Sequence, residues 1–236
     1  MVSFNKDNLV MATAPKMKVE VWSDIMCPFC YIGKRNYETA LQQFSQNDQV
    51  EIEWHSFQLD PTIPETTNEK ISVYQYLADR KGMTYEQSVN MHKGVIETAK
   101  NAGLTYNFDK AIVANSFNAH KMIQLAKTKG LGDAIAERLF LAYFTQGKDL
   151  GNIDILVELG EETGLKKDEI ISAIQSDEFA YKVKTDIQEA QNIGVRGVPF
   201  FVFNRKYGIS GAQPPKAFLQ TLEQSFKDWE KSNSKN

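Results

Sequence analysis

Apolar and polar positions alternate where the patterned part of the chain begins: Val19 and Val21 enclose Glu20, the period-two pattern of a half-buried β-strand. The period then changes, with Tyr37, Ala40, Leu41 and Phe44 recurring at i, i+3, i+4 and i+7 on one face of an α-helix. Asn47-Asp48 punctuates the chain, Ile52, Trp54 and the run to Phe57 alternate as a second strand, and Asp60-Pro61 with Pro64 end it. From about Glu65 to Asn192 strand character almost disappears. Helical spacing replaces it, as in Ile71, Tyr74 and Ala78; Val95, Ile96 and Ala99; Ala119, Met122, Ile123 and Ala126; Ile135, Leu139, Ala142 and Tyr143; Ile170, Ile171 and Ile174; Val183, Ile187 and Ala190. Gly82, Gly103, Gly130, Gly151 and Gly164 fall between these segments, where helix C-termini favour glycine. Six or seven helices are expected there.

Strand character returns at Phe200-Phe-Val-Phe203, a continuous apolar run suited to a strand buried on both faces. A turn around Asn204-Arg-Lys206 and a second piece from Tyr207 to Ser210 complete a hairpin. Pro214-Pro215 then precede an amphipathic helix with Phe218, Leu222, Phe226 and Trp229 on one face, proline being tolerated in a first helical turn. The order is β-α-β, helices, β-β-α. That is an α/β thioredoxin fold with a large all-helical domain inserted between its halves, the halves covering residues 18–64 and 193–236 and the insert 65–192. Residues 1–17 lack periodicity, contain Asn5, Asn8 and Pro15, and read as a disordered leader.

Composition narrows the function classes. The 236 residues include 42% hydrophobic ones, enough for a sizeable core. A formal net charge of −3 offers no basic field for nucleic acid. No apolar run approaches the ~18 residues a membrane helix requires. Lys6 and Asp7 interrupt the stretch where a secretory signal needs an apolar core, so the chain reads as cytoplasmic.

Its two cysteines stand together as Cys27-Pro28-Phe29-Cys30, between strand and helix. Cys27 therefore falls at or just before a helix N-terminus, where unpaired N–H groups and the macrodipole favour a thiolate. Cys30, one turn inside, is expected to be the more buried, resolving sulfur. A Cys-x-x-Cys pair beside such a pattern reads as a redox pair, with half a metal site as the competing interpretation. His55, His92 and His120 are scattered singly in the sequence, so no metal is expected. Asp24, three residues before Cys27, is either a buried carboxylate that moves protons to or from Cys30 or an ordinary strand-end residue. His120 reads as a packed core histidine in preference to a catalytic one, and Asn115 as the cap of its helix. Phe29 reads as exposed apolar area that helps bind substrate. Pro199 starts the second-half strand, through either a cis or a trans bond, and Gly197 relieves crowding near the sulfurs.

Several ordered motifs accompany the pair: Ser23-Asp-x-x-Cys-Pro-Phe-Cys-Tyr-x-Gly33, Phe57-Gln-Leu-Asp-Pro61, Ala114-Asn-Ser-Phe-Asn-Ala-His120, Ala142-Tyr-Phe-Thr-Gln-Gly147 and Gly197-Val-Pro-Phe-Phe-Val202. With them the sequence resembles the DsbA-like thioredoxin family, specifically its cytosolic FrnE-like branch, from Lys18 to about Leu222. The resemblance implies thiol–disulfide exchange through a mixed disulfide with protein or low-molecular-weight thiol substrates. It needs no bound cofactor beyond the redox-active pair, with glutathione as a co-substrate and a reductant or oxidant that recycles the pair. It also implies a cis Val198–Pro199 bond facing the sulfurs, with the Val198 backbone free to pair with an extended substrate. Relatives with histidine in place of Phe29 stabilise the thiolate more, so a less oxidising couple than in periplasmic DsbA proteins is expected. The runner-up is a glutathione-dependent transferase or isomerase of the kappa or 2-hydroxychromene-2-carboxylate isomerase type. Those proteins generally carry serine where this chain has Cys27.

Overall fold

The computed structural model describes residues 15–65 and 71–233. Most of the expected leader, residues 1–14, lies outside them. The first strand, β1 (Met17–Ser23), begins one residue inside that leader because the Met17 side chain is fully buried and belongs to the core. Helix α1 (Pro28–Gln43) and strand β2 (Val50–Ser56) follow, and β2 lies parallel to β1. Strands β3 (Phe200–Phe203) and β4 (Tyr207–Ser210) complete a four-stranded sheet of order β2-β1-β3-β4. β3 is antiparallel to both of its neighbours. Asn204 and Arg205, both at positive φ, make the tight β3–β4 turn, whose twist matches that of its strands.

Register sorts the two faces of the sheet. Trp54, Val21 and Phe201 are cross-strand partners and share one face, covered by α1 and the last helix, α9 (Pro215–Asn233). Phe201 meets Phe218 edge-on at 4.7 Å between centroids, and Phe44 meets Phe226 at 5.3 Å. On the other face Trp22, Ala190 and Val195 form a smaller apolar cluster, with Phe200 and Val202 packed against it. The apolar run of β3 is thus flanked on both sides, as its composition predicts.

Seven α-helices lie between β2 and β3 among the described residues: α2 (Val73–Lys81), α3 (Tyr85–Asn101), α4 (Phe117–Lys127), α5 (Gly132–Leu141), α6 (Ile153–Glu162), α7 (Lys167–Gln175) and α8 (Asp177–Asn192). A π-helical turn, Ala142–Gln146, extends α5 and ends at Gly147. Gly147, and not Gly151, is the left-handed residue that stops this segment. Side-chain caps start several helices: Ser72 on α2, Thr84 with Gln87 as a capping box on α3, and Asn152 on α6.

The hydrophobic patterns suggest that these helices close on a core of their own and dock by a small surface. They do not. One continuous apolar cluster runs from Val19 and Tyr37 through Tyr31 and Trp54 to Phe140, Phe144 and Ile170. The joint is aromatic, with Tyr31 of α1 stacked on Phe140 at 5.0 Å and Trp54 of β2 against the same ring at 6.2 Å. Lys34 of α1 adds a charged tie beneath it, 3.1 Å from Glu137 and 3.3 Å from Asp133 of α5.

Candidate active site

Beyond Ser23 the chain turns through Asp24-Ile-Met to reach α1, and Asp24 holds that turn. Its Oδ1 accepts from the Met26 N–H at 3.1 Å, its Oδ2 from the Leu59 N–H at 2.8 Å, and its carbonyl from the Cys27 N–H at 2.9 Å. Cys27 is the N-cap residue of α1 and Pro28 its first helical residue, where the missing N–H costs nothing. Both cysteines are free thiols. Cys27 keeps 4% exposure and Cys30 none. Burial pushes the Cys30 pKa well up and the neighbouring Cys27 pushes it further, against the opposing effects of the Ser23 hydroxyl and the Asp24 backbone. Cys30 is accordingly a thiol at neutral pH.

The segment leading into β3 closes the other side. The Val198–Pro199 peptide is cis, and the Cys27 thiol donates to the Val198 carbonyl at 3.5 Å. Pro199 lies against α1 at Gly33, where an added Cβ would come within 2.9 Å of the Pro199 ring. A Cβ at Gly197 would meet nothing within 4 Å. The crowding expected at Gly197 is therefore relieved at Gly33, one helical turn past Cys30. Phe29, 43% exposed, offers its ring to solvent beside the pair. Cys27, Cys30, Pro28, Phe29, Val198 and Pro199 are brought together.

Tyr106 is a neighbour that sequence reasoning missed. It comes from the stretch between α3 and α4, and its hydroxyl donates to the Pro28 carbonyl at 2.7 Å. Its ring stacks on Phe144 at 4.6 Å and on Tyr31 at 6.2 Å. Burial and then the nearby cysteines push its pKa upward, so it stays a neutral donor. The helical segment therefore reaches the cysteine pair.

His120 of α4 is buried, as a packed histidine should be, with Nε2 3.6 Å from Asp24 Oδ1. Neither of its ring nitrogens has a hydrogen-bond partner among the described residues. The N-cap position of α4 falls on Ser116 and not on Asn115, whose Oδ1 accepts from the Phe117 N–H at 2.8 Å just before it. His55, isolated in sequence, is not isolated in space: Asp186 Oδ1 lies 2.9 Å from its Nδ1 and Glu20 Oε1 3.3 Å from its Nε2. Glu20, Glu53 and His55 lie close enough to share a cation. Arg205 already pairs with Glu20 at 2.5 Å, and Lys127 and Lys18 with Glu53 at 3.2 Å, so this cluster reads as an ion-pair network in the sheet.

Residues 18–223 match the family model of the DSBA-like thioredoxin domain. The chain belongs to that family. The probable DsbA oxidoreductase SCO1869 from Streptomyces coelicolor is 35% identical, with a TM-score of 0.84 over 89% of this chain and 90% of that one. The uncharacterised protein YwbO of Bacillus subtilis is 26% identical over 215 residues, 89% of this chain and 97% of that protein. The cytosolic disulfide reductase DsbM from Pseudomonas aeruginosa, at 16% identity, shares the fold with a TM-score of 0.63 over 89% of this chain and 98% of that one. As a DsbA-like protein, the chain is a disulfide oxidoreductase. Among the described residues no helix is long and apolar enough to cross a membrane.

Proposed function

We propose that the chain exchanges disulfides through the Cys27–Cys30 pair, by a mixed disulfide with protein or low-molecular-weight thiol substrates, as a cytoplasmic member of the FrnE-like branch. The observation that carries this reading is the asymmetry of the pair: Cys27 caps α1 beside Val198, and Cys30 lies wholly buried one turn inside. In the reducing direction the Cys27 thiolate attacks a substrate sulfur and one substrate thiolate leaves. Cys30 then loses its proton and attacks Cys27 Sγ, which forms the Cys27–Cys30 disulfide and frees the second substrate thiol. The oxidising direction is the reverse, and a separate reductant or oxidant, with glutathione as the small-thiol candidate, returns the pair to its starting state. No bound cofactor takes part.

Val198 offers backbone and Phe29 apolar surface for an extended substrate segment, with Pro28 and Pro199 framing the sulfurs. Asp24 acts first as the anchor of the turn that presents Cys27. The presence of Cys27 itself weighs against the glutathione transferase or isomerase reading. Insulin reduction with and without glutathione tests the proposal. Turbidity that develops with the wild-type protein and is lost in Cys27→Ser supports it, and equal rates in the two proteins would refute it.

A further inference from the structure

Cys30 is wholly buried, and every turnover must take a proton from it or return one. The Ser23 hydroxyl lies near enough to Cys30 to oppose the rise of its pKa, and it has no hydrogen-bond partner among the described residues. Ser23 also lines a small internal cavity with His120, His55, Ile25, Ile123 and Phe140. The cavity has room of ≈ 10 Å³, close to the least that admits one water molecule. His120 is 2% exposed and neither of its nitrogens has a partner among the described residues, an arrangement that is unfavourable unless something answers it. Orphaned polar atoms from β1 and α4 thus face one water-sized space behind the resolving sulfur.

We propose that one water in this cavity links Ser23 to His120, and that the His120 imidazole accepts the Cys30 proton when the mixed disulfide is resolved. The inference rests on the redox reading above and deepens it. The Cys30 thiol passes its proton to the Ser23 hydroxyl, Ser23 passes its own to the water, and the water passes one to His120. The Cys30 thiolate then forms its bond to Cys27 Sγ as the bond from Cys27 to the substrate sulfur breaks, and the substrate leaves with that electron pair. In the oxidising direction the imidazolium returns the proton to Cys30 as it leaves. Asp24 Oδ1 lies 3.6 Å from His120 Nε2. His120 touches neither sulfur and acts only through Ser23.

The other titratable groups on this site are His55 of β2, which lines the same cavity, Asp186 of α8, bonded to His55, and Tyr143 of the π-helical turn, which faces Asp24. The α5 side contributes Ala136 and Phe140, which do not titrate. Neither Asp186 nor Tyr143 lines the cavity.

An aromatic disulfide such as 5,5′-dithiobis(2-nitrobenzoate) separates the steps, because Cys27 attack releases one thionitrobenzoate and Cys30 attack releases the second. In the wild type the second release should vary little with pH above neutrality, since the proton leaves internally. In His120→Gln it should be about 10²-fold slower at pH 7 relative to the first release, the low end for general-base assistance. It should also gain about tenfold per pH unit, as expected when only the thiolate fraction of a high-pKa thiol reacts. Ser23→Ala, a smaller change, should reproduce both effects and carries the test if His120→Gln does not fold. An unaltered second release with an unaltered pH slope in either folded variant would overturn the proposal while leaving the redox reading intact. If Cys30→Ser released the second equivalent as fast as wild type, the redox reading would fall and the proposal with it.

Discussion

Position 29 is where the proposed exchange chemistry should be most easily tuned. Proline before it supplies no N–H, and a phenyl ring supplies neither charge nor a conventional donor, so Cys27 has its helix N-terminus and little else. Phe29→His should therefore stabilise the reduced form and make the couple more oxidising. A charge-assisted hydrogen bond discounted for the 43% exposure of this side chain is worth about 1.4 kcal/mol, or about 30 mV. Equilibration with glutathione redox buffers reads the shift, and an unchanged or lower potential would show that position 29 does not act on the thiolate. The chain's only Cys-x-x-Cys announces Cys27 and Cys30 through local order alone: strand, pair, helix. Tyr106 carries no such announcement, because it lies in an aperiodic stretch and meets Pro28 across 78 residues of chain. The same holds for Ser23, which opens a motif in the sequence but gains a role only when folding sets its hydroxyl near Cys30.

Helix α1 and the segment entering β3 meet at Gly33 and Pro199, and the fit admits no extra atom. Gly33→Ala would place Cβ 2.9 Å from the proline ring, an overpacking that costs about 1–3 kcal/mol. It should also displace Pro199 from the pair and slow insulin reduction several-fold. Gly197→Ala, with open space around its Cβ, is the matched comparison and should leave exchange nearly unaltered. Urea midpoints and insulin turbidity check both variants, and equal behaviour of the two would remove Gly33 from the site. Periodicity yields the elements themselves, because an amphipathic stripe must be buried whatever it meets. It does not say against which partner. Trp54 and Phe140 each read as core, yet only the folded chain shows them in one core across the sheet–helix joint. A switch from α to π hydrogen bonding leaves no mark on apolar spacing either, so Ile135 to Tyr143 reads as one uninterrupted helix.

Taken whole, the molecule is bound together by that shared core and by a polar tie on the opposite face of the sheet. Asp186 of α8 binds His55 at 2.9 Å and the Ser56 N–H at 2.7 Å, while its carbonyl accepts from Trp22 at 3.0 Å. Burial opposes the charge on His55, but hydrogen bonds to Asp186 and Glu20 prevail and its pKa is raised above 6.5. Burial likewise opposes the charge on Asp186, but His55 prevails and its pKa is lowered below 3.8. Stability from the raised histidine is complete below pH 6.5 and is lost as pH climbs through its folded value, whereas stability from the lowered aspartate is complete above pH 3.8 and is lost as pH falls through its folded value. The tie is thus at full strength between these limits. Urea midpoints of the wild type should decline above pH 6.5 more steeply than those of His55→Gln, and parallel profiles would show that His55 does not set that decline. The most direct test of the redox cycle itself is intact-mass analysis after reaction with oxidised glutathione. The wild type should lose two hydrogen atoms by closing Cys27–Cys30 as oxidised glutathione is reduced to two thiols, Cys30→Ser should retain one glutathionyl group on Cys27, and Cys27→Ser should stay unmodified; a stable adduct on Cys30, or none on Cys27, would overturn the assignment of nucleophile and resolving sulfur.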